Sequence, residues 1–544
     1  MKKILIFMLL GCFISTQVLA SGSPSAKQTY LKKNFTAPTT SNYDPMDVFG
    51  LLTFLMQYSE VTGKYNYEVQ GITWEEMAAA ISGNPDVIFV KLIGKLPEIS
   101  PNLAWEKVGN SRVLTHLEFN KDSLTGIFDG KYFKNLKIFV LWHTQITSID
   151  ISKNINLVTL MCNLNKLTKL DVSHNSNLQN LSISGNKLNY IDVSKNKNLV
   201  ILNCADNQLT NLDISKNTNL KELRVQYNHQ LISLDVSKNT KLEILDITWT
   251  PLTSLDVSKN PNLKSLSCNN ISELKSLDIS KNPNLEWLSC RYTSINSLDV
   301  SNNPKLKILY CNSNYRLTTL DLSKNPNLEQ LQCYVNKLKF STLKGDFSKL
   351  DYKFSKLGPQ ASLYGGTKGF FELIDLSSEY NINGTLTTFK WYDAATNQEV
   401  TMFAANGTFY ASPANAGKTL ICKMTNASYP TLTLEYEVTI TNSMTQGFSA
   451  KTRDFKIPEN FTLTGPEAET SNLKIYPNPV IDVLKINTPS QIESVSIYDY
   501  SGNEVKKVSP VINKEVNLQG LSSGNYILTV KTSQGTITKK IIKK

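Results

Sequence analysis

Leucine recurs along the middle of the chain with a fixed step. The first Leu of each unit stands at 114, 136, 157, 178, 199, 220, 242, 263, 285, 306 and 328, a spacing of 21 or 22 residues throughout. Within a unit the pattern is L-x-x-L-x-C-x-x-N, as at Leu157, Leu160, Cys162 and Asn165, or Leu199, Leu202, Cys204 and Asn207. Alternation over so few residues predicts a short strand with Leu and Cys facing inward. One such unit cannot bury its own leucines. Units must therefore stack, with neighbouring strands about 4.8 Å apart, into one continuous core. A second tract, Leu-Asp-Val-Ser or a close variant, returns with its Asp at 150, 171, 192, 213, 235, 256, 278, 299 and 321. Leu167, Leu170, Val172 and Asn175 repeat the spacing of the first tract, so both sides of each coil are expected to be extended. The predicted fold class is mainly β with some α, dominated by a solenoid of about eleven coils over residues 114–350.

This spacing resembles the leucine-rich repeat, whose unit is L-x-x-L-x-L-x-x-N. The physics assigns most of the repeated columns to structure. Asparagines at 154, 175, 196, 217, 239, 260, 282, 303 and 325, and less completely at 165, 186, 207, 228, 314 and 336, can bridge the backbone groups of adjacent turns. Cys162, Cys204, Cys268, Cys290, Cys311 and Cys333 share their position with Ile183, Val225 and Ile247, which marks them as small hydrophobes. Thiols projecting in parallel do not converge as a zinc site requires, so no metal or other cofactor is expected. The outward Asp of Leu-Asp-Val-Ser is expected to pair with the Lys three residues on, as at Lys153, Lys195 or Lys216.

One lateral surface differs. The third, fifth and seventh positions of L-x-x-L-x-C-x-x face solvent, and their identities change from coil to coil, whereas the Asp-Ser-Lys side is nearly uniform. That face carries Trp142, Arg224, Asp246, Trp287, Arg291, Tyr310 and Tyr334, with Tyr227, Trp249 and Tyr292 one step further at its rim. Aromatic residues with Arg are the usual anchors of recognition surfaces. Trp287, Arg291, Tyr292, Tyr310 and Tyr334 fall on the last three coils and are expected to form one patch. The face is accordingly expected to bind a protein or glycan; the alternative is a structural spacer or coat without a dedicated ligand.

The flanks change pattern. Residues 21–113 hold no clean repeat; an apolar run from Pro45 to Glu60 and a segment from Trp74 to Ile81 predict helices that cap the open solenoid end. Over 360–442 short alternating strands appear, at Phe371 to Leu376, Thr387 to Tyr392, Thr408 to Ala411, Thr419 to Met424 and Leu432 to Ile440. Trp391 and Cys422 resemble the buried Trp and the second-sheet Cys of an immunoglobulin-like sandwich, here without a partner Cys. The segment is similar to the Ig-like spacer of bacterial leucine-rich repeat surface proteins. Residues 443–470 read as a linker.

The last segment, 471–544, reads as a small antiparallel β-sandwich. It carries Tyr476-Pro477-Asn478-Pro479, then Val495 to Asp499 leading to Gly502, then Leu518 to Leu521, Gly524-Asn525-Tyr526 and a Lys-rich end. In that order these motifs resemble the type IX secretion sorting domain of Bacteroidetes. The resemblance implies passage across the outer membrane by that machinery, then attachment at the surface or release.

The chain of 544 residues has a net charge of +11, modest for its length, with basic residues dispersed among acidic ones, so nucleic acid is not an expected partner. Lys2 and Lys3, the apolar run from Ile4 to Ile14 and Val18-Leu19-Ala20 read as a signal peptide over residues 1–20. Leu9-Leu10-Gly11-Cys12 leaves lipidation at Cys12 open, although Phe13 and Ile14 continue the apolar run beyond it. No other stretch is long and apolar enough to span a bilayer. His116, His143, His174 and His229 lie on different coils, and no phosphate loop, HExxH or G-x-S-x-G occurs, so no enzyme is expected.

Overall fold

The computed structural model describes residues 43–59, 62–69, 72–73, 77, 104–119, 124–369, 372–441, 462–464, 473–489, 491–499, 504–533 and 535–544. The expected signal peptide with Cys12, all but Met77 of the helix expected from Trp74, and Gly502 lie outside the described residues. The chain divides into two compact units. The first runs to Cys311 and takes in Lys324–Leu328; the second comprises Asn312–Ser323 and the chain from Glu329 onward.

The first unit begins with the helix Pro45–Leu55. Asp44 caps it by accepting the Met46 N–H at 2.8 Å, and Pro45 sets the first helical φ. Its buried side buries Leu51, Leu52, Phe54 and Leu55. Phe54 packs on Phe119 and Phe128 at 5.1 and 5.7 Å between ring centres. Gly50 lets the helix approach Tyr132 and Phe133, since a Cβ there would lie 2.6 Å from the Cβ of Tyr132. Buried Asp47 accepts the N–H of Leu114, in the first coil, at 2.7 Å, and burial pushes its carboxyl up to about 7. The strand Ala104–Val108 runs antiparallel to Ser111–Phe119 and closes the edge of the sheet, as an open solenoid end requires.

From Ser111–Phe119 the strands are parallel and advance one coil at a time through Ile138–Leu141, Thr159–Met161 and onward to Ile308–Tyr310. Register is strict: Leu160, Leu181, Leu202, Leu223, Leu245, Leu266, Leu288 and Leu309 are successive partners. All eight are buried, as are the six column cysteines, which are free thiols. Burial pushes Cys162, Cys204 and Cys290 up to about 12, so they stay protonated packing groups.

The Asn column forms a ladder in which each amide reaches back one coil. Asn217 Nδ2 donates to the carbonyls of Val193 and Asn196 at 3.0 and 2.8 Å, and Asn239 repeats this on Ile214 and Asn217 at 3.1 and 2.9 Å. The second column works both ways: Asn186 Nδ2 donates to Cys162 O at 2.9 Å while its Oδ1 accepts the Leu167 N–H at 3.0 Å.

Two expectations fail on the Asp side. The Leu-Asp-Val of the middle coils joins no strand ladder and the chain turns at the Ser and the residue after it, whereas the tracts at Asp150 and Asp321 are strands. Each Asp Oδ1 accepts the N–H of the Ser two residues on, at 2.8–3.0 Å for Asp150, Asp171, Asp192, Asp213, Asp235 and Asp321, and this bond forms the turn that follows the tract. The lysine three residues on is also a lesser partner than expected. The serine backbone N–H and hydroxyl hold Asp192 and Asp213 below the usual carboxylate range, and the lysine adds only a smaller share. Ion pairs instead join coils one residue before the strands, Lys221–Glu243 at 3.2 Å, Glu243–Lys264 at 2.7 Å and Glu286–Lys307 at 2.8 Å.

In the second unit, Gln330–Gln332 is the last three-residue strand of the repeat. Coil-like pairing runs past residue 350: Lys356 N–H donates to Leu331 O at 2.7 Å and Cys333 N–H to Lys356 O at 3.0 Å. Two four-stranded sheets follow. One contains Leu363–Gly369, Thr433–Thr441, Thr419–Thr425 and Thr388–Asp393; the other contains Ile374–Asp375, Thr408–Ala411, Met402–Ala405 and Thr462–Thr464. The last strand falls within the expected linker, where Thr-Leu-Thr pairs with Met402–Ala404. Trp391 and Cys422 are both buried and are direct cross-strand partners within one sheet. The terminal segment is a sandwich of three strands, Lys474–Tyr476, Val483–Asn487 and Glu515–Asn517, and four, Glu504–Val508, Ile492–Asp499, Gly524–Thr532 and Gly535–Lys543. Leu484, Ile486, Val495, Ile497, Val516 and Leu528 fill it.

Candidate recognition face

The strands place every second side chain on one lateral face, and parallel register stacks those side chains into columns. Trp287 stands between Ser265 and Ile308, while Tyr310 partners Ser289. The Arg291 guanidinium lies over the Tyr310 ring at 4.8 Å, and its Nε donates to Ser289 Oγ at 3.2 Å. Backbone N–H of Arg291 donates to Asn269 Oδ1 at 3.0 Å, and Ser289 Oγ donates to the same oxygen at 2.6 Å. Trp287, Arg291 and Tyr310 are half-buried, and Arg291 is held against the coils on both sides. Arg224 is held differently, by Glu222 on its own strand, with Nε 2.5 Å from the carboxylate. Asp246 accepts the Thr248 N–H at 3.0 Å. Tyr334 belongs to the second unit, where Lys356 Nζ lies 4.9 Å from its ring centre.

The rim carries the more exposed aromatics. Tyr227, Trp249 and Tyr292 are 44%, 44% and 49% exposed, with φ of 61°, 58° and 53°. They belong to a column in which every residue is left-handed: His143, Leu164, Gly185, Asp206, Tyr227, Trp249, Asn270 and Tyr292. A residue with a Cβ loses about 1–2 kcal/mol there. Tyr227 and Trp249 are linked through His229, whose ring stands edge-on to both at 6.5 and 6.3 Å. Sequence reasoning missed His229. Gly185, Asp206 and Asn270 at one register were the available signal for the left-handed column, since Gly, Asn and Asp tolerate that conformation best.

The structure therefore brings together Arg291 with Tyr310, and Tyr227 with Trp249 through His229. Among the described residues no group of three His, Cys, Asp or Glu side chains could hold a metal ion, and no helix is long and apolar enough to cross a membrane.

In the terminal sandwich the Tyr476-Pro477-Asn478-Pro479 turn grips the last strand. Asn478 Nδ2 donates to Lys540 O at 3.0 Å, and its Oδ1 accepts the Ile542 N–H at 2.8 Å. Val480 extends the contact, donating to Ile542 O at 2.7 Å and accepting from Lys544 at 2.8 Å. Tyr476 is exposed, and Gly524 opens the long strand beside the last one.

Residues 474–544 match the secretion system C-terminal sorting domain. No curated protein matches the chain in sequence. Among solved structures, the functional domain of InlJ from Listeria monocytogenes, described as including a cysteine ladder, is 24% identical over 60% of this chain and 90% of that one, with a TM-score of 0.37. An internalin from the same organism, InlF, is 22% identical over 46% of this chain and 77% of its own, at 0.32. YopM from Yersinia enterocolitica is 22% identical over 46% and 60%, at 0.33. The chain thus combines a solenoid of leucine-based coils with a C-terminal sorting domain, which addresses it to the outer surface or the extracellular space.

Proposed function

We propose that this exported protein is a recognition or adhesion protein that engages a protein or glycan through the diversified lateral face of its solenoid, principally at Trp287, Arg291, Tyr292 and Tyr310. The supporting observation is the contrast between two surfaces of the same coils. The Asp-Ser side repeats one turn almost unchanged, from Asp171 to Asp256 and beyond. The strand side varies its side chains while holding each in place, as Arg291 is held by Tyr310, Ser289 and Asn269. Ordered aromatic and Arg groups lose little freedom on binding, which favours affinity. The reading is non-enzymatic: the histidines stand on separate coils, and the cysteines are buried and protonated. The sorting domain implies an encounter with the secretion machinery on the way out.

The test is Trp287→Ala with Tyr310→Ala in the full chain, assayed by pull-down from extracellular protein and by a glycan array. Loss of about 2 kcal/mol, roughly thirtyfold in affinity, with an unchanged unfolding transition is expected. Undiminished binding by the double variant would remove this patch, and the absence of any saturable ligand would favour the spacer reading.

A further inference from the structure

We infer that the rim of the solenoid carries a platform for a neutral, unbranched oligosaccharide, built on Tyr227, Trp249 and Tyr292 and edged by Gln226, Thr248 and Asn269. The inference rests on the recognition reading above and deepens it by naming a second site and its ligand class.

The backbone supplies the first argument. The rim column is left-handed in every coil from His143 to Tyr292, whatever residue occupies it. Folding is satisfied there by Gly185, Asp206 and Asn270, which suit the conformation. Bulky rings at Tyr227, Trp249 and Tyr292 make the turn worse and leave nearly half of each side chain in water. Neither burial nor backbone preference accounts for them, whereas a ligand that stacks on their faces does.

Spacing and chemistry choose the ligand. Tyr227 and Trp249 lie on successive coils, and Tyr292 lies two coils beyond Trp249. With about 4.8 Å per coil, the platform is roughly 14 Å long, and each coil step is close to the length of one pyranose ring. His229 stands edge-on between the first two rings and fixes their orientation. Beside Tyr227, Trp249 and Asn270 the seventh position of the coil is a half-buried amide or hydroxyl residue, Gln226, Thr248 and Asn269, and beside Tyr292 it is Arg291. Of these, Gln226 Oε1 is buried without a partner among the described groups, while Thr248 and Asn269 form a local network with Ser267. Aromatic faces for the C–H side of a sugar and amides for its hydroxyl edge are a carbohydrate constellation. The rim positions Tyr227, Trp249, Asn270 and Tyr292 are uncharged and Arg224 is paired with Glu222, which favours a neutral ligand.

The experiment is calorimetric titration of the full chain with cellotetraose, laminaritetraose, xylotetraose and chitotetraose, with tetragalacturonate as the acidic comparison. At least one neutral tetraose is expected to bind, with affinity rising from the disaccharide to the tetraose. Trp249→Gly, Tyr227→Gly and Tyr292→Gly should each weaken it about tenfold or more, while the unfolding temperature holds or rises. Trp249→Ala serves as a second variant if the glycine variant misfolds. Failure of all four neutral sugars up to about 10 mM, binding of the acidic oligomer alone, or full affinity in the three variants together overturns the inference. Capture of a protein through Trp287 and Tyr310 with no sugar bound would leave the recognition reading standing and end this one.

Discussion

Replacing Asn217 by Ala tests whether the asparagine ladder holds the coils together. The amide makes two backward bonds, to Val193 O at 3.0 Å and Asn196 O at 2.8 Å, in a fully buried setting. A buried hydrogen bond contributes about 1 kcal/mol net, and a carbonyl left wholly unpaired costs about 1–3 kcal/mol. Neither carbonyl is wholly stranded, since Val193 O still accepts from Asn196 and Asn196 O from Leu199. Removing Oδ1, which has no partner among the described groups, returns some of the loss. The expected cost is therefore about 2 kcal/mol. Asn217→Asp should cost more, because it turns an acceptor toward both carbonyls in a fully buried site. Asn219 is the internal comparison: its two bonds, to Lys197 O at 3.2 Å and from Lys241 Nζ at 2.7 Å, are both exposed, and its Ala variant should stay within about 0.5 kcal/mol of the parent. Urea unfolding followed by circular dichroism gives the global change. Hydrogen exchange at the amides of residues 193–217 gives the local one, needed because a stack of repeats can open coil by coil. Equal shifts for the Ala variants at 217 and 219, or a milder effect of Asp than of Ala, would refute the reasoning.

Two further predictions concern the ends of the chain. Asp47 is held near 7 by burial, against about 3.9 in an unfolded chain, so the folded state binds the extra proton between those values. Stability should then fall as pH rises from about 4 to about 7, by at most a few kcal/mol at about 1.4 kcal/mol for each pH unit of separation. Asp47→Asn keeps an acceptor for Leu114 and should flatten the dependence; an unchanged slope in thermal melts from pH 4.5 to 7.5 would clear Asp47 of the effect. Deleting residues 471–544 should leave the protein in the periplasm, read by cell fractionation and immunoblot; normal yield in the medium would count against the sorting role.

The strict 21- or 22-residue step made the solenoid legible, because the same Leu and Cys positions had to face inward in every coil. The Asp tract keeps the inward Leu and Val and outward Asp of a strand but joins no ladder in the middle coils, and the Asp–Ser bond turns the chain just after it. Met402–Ala405 escaped because it is almost wholly buried and shows no alternation, and Leu363–Gly369 because Gly365 and Gly366 interrupt it. Glu504–Val508, with its paired lysines, looks like surface. On the candidate face, residue type identified Arg291 and Tyr310 but not their contact. Their stacking depends on which coil each side chain leans toward, and one chain's sequence does not carry that information. The same is true of His229, which stands out only once its two aromatic neighbours are in place.

Each ladder asparagine grips the coil behind it and asks nothing of the coil two behind. A whole period could therefore be copied or lost with every remaining bond re-formed by an identical neighbour, whereas losing three residues would put Leu where Asn belongs. Such a chain can change its reach only in whole steps. Duplication of a single coil is then a route by which the rows of exposed side chains grow longer without a new fold having to be found.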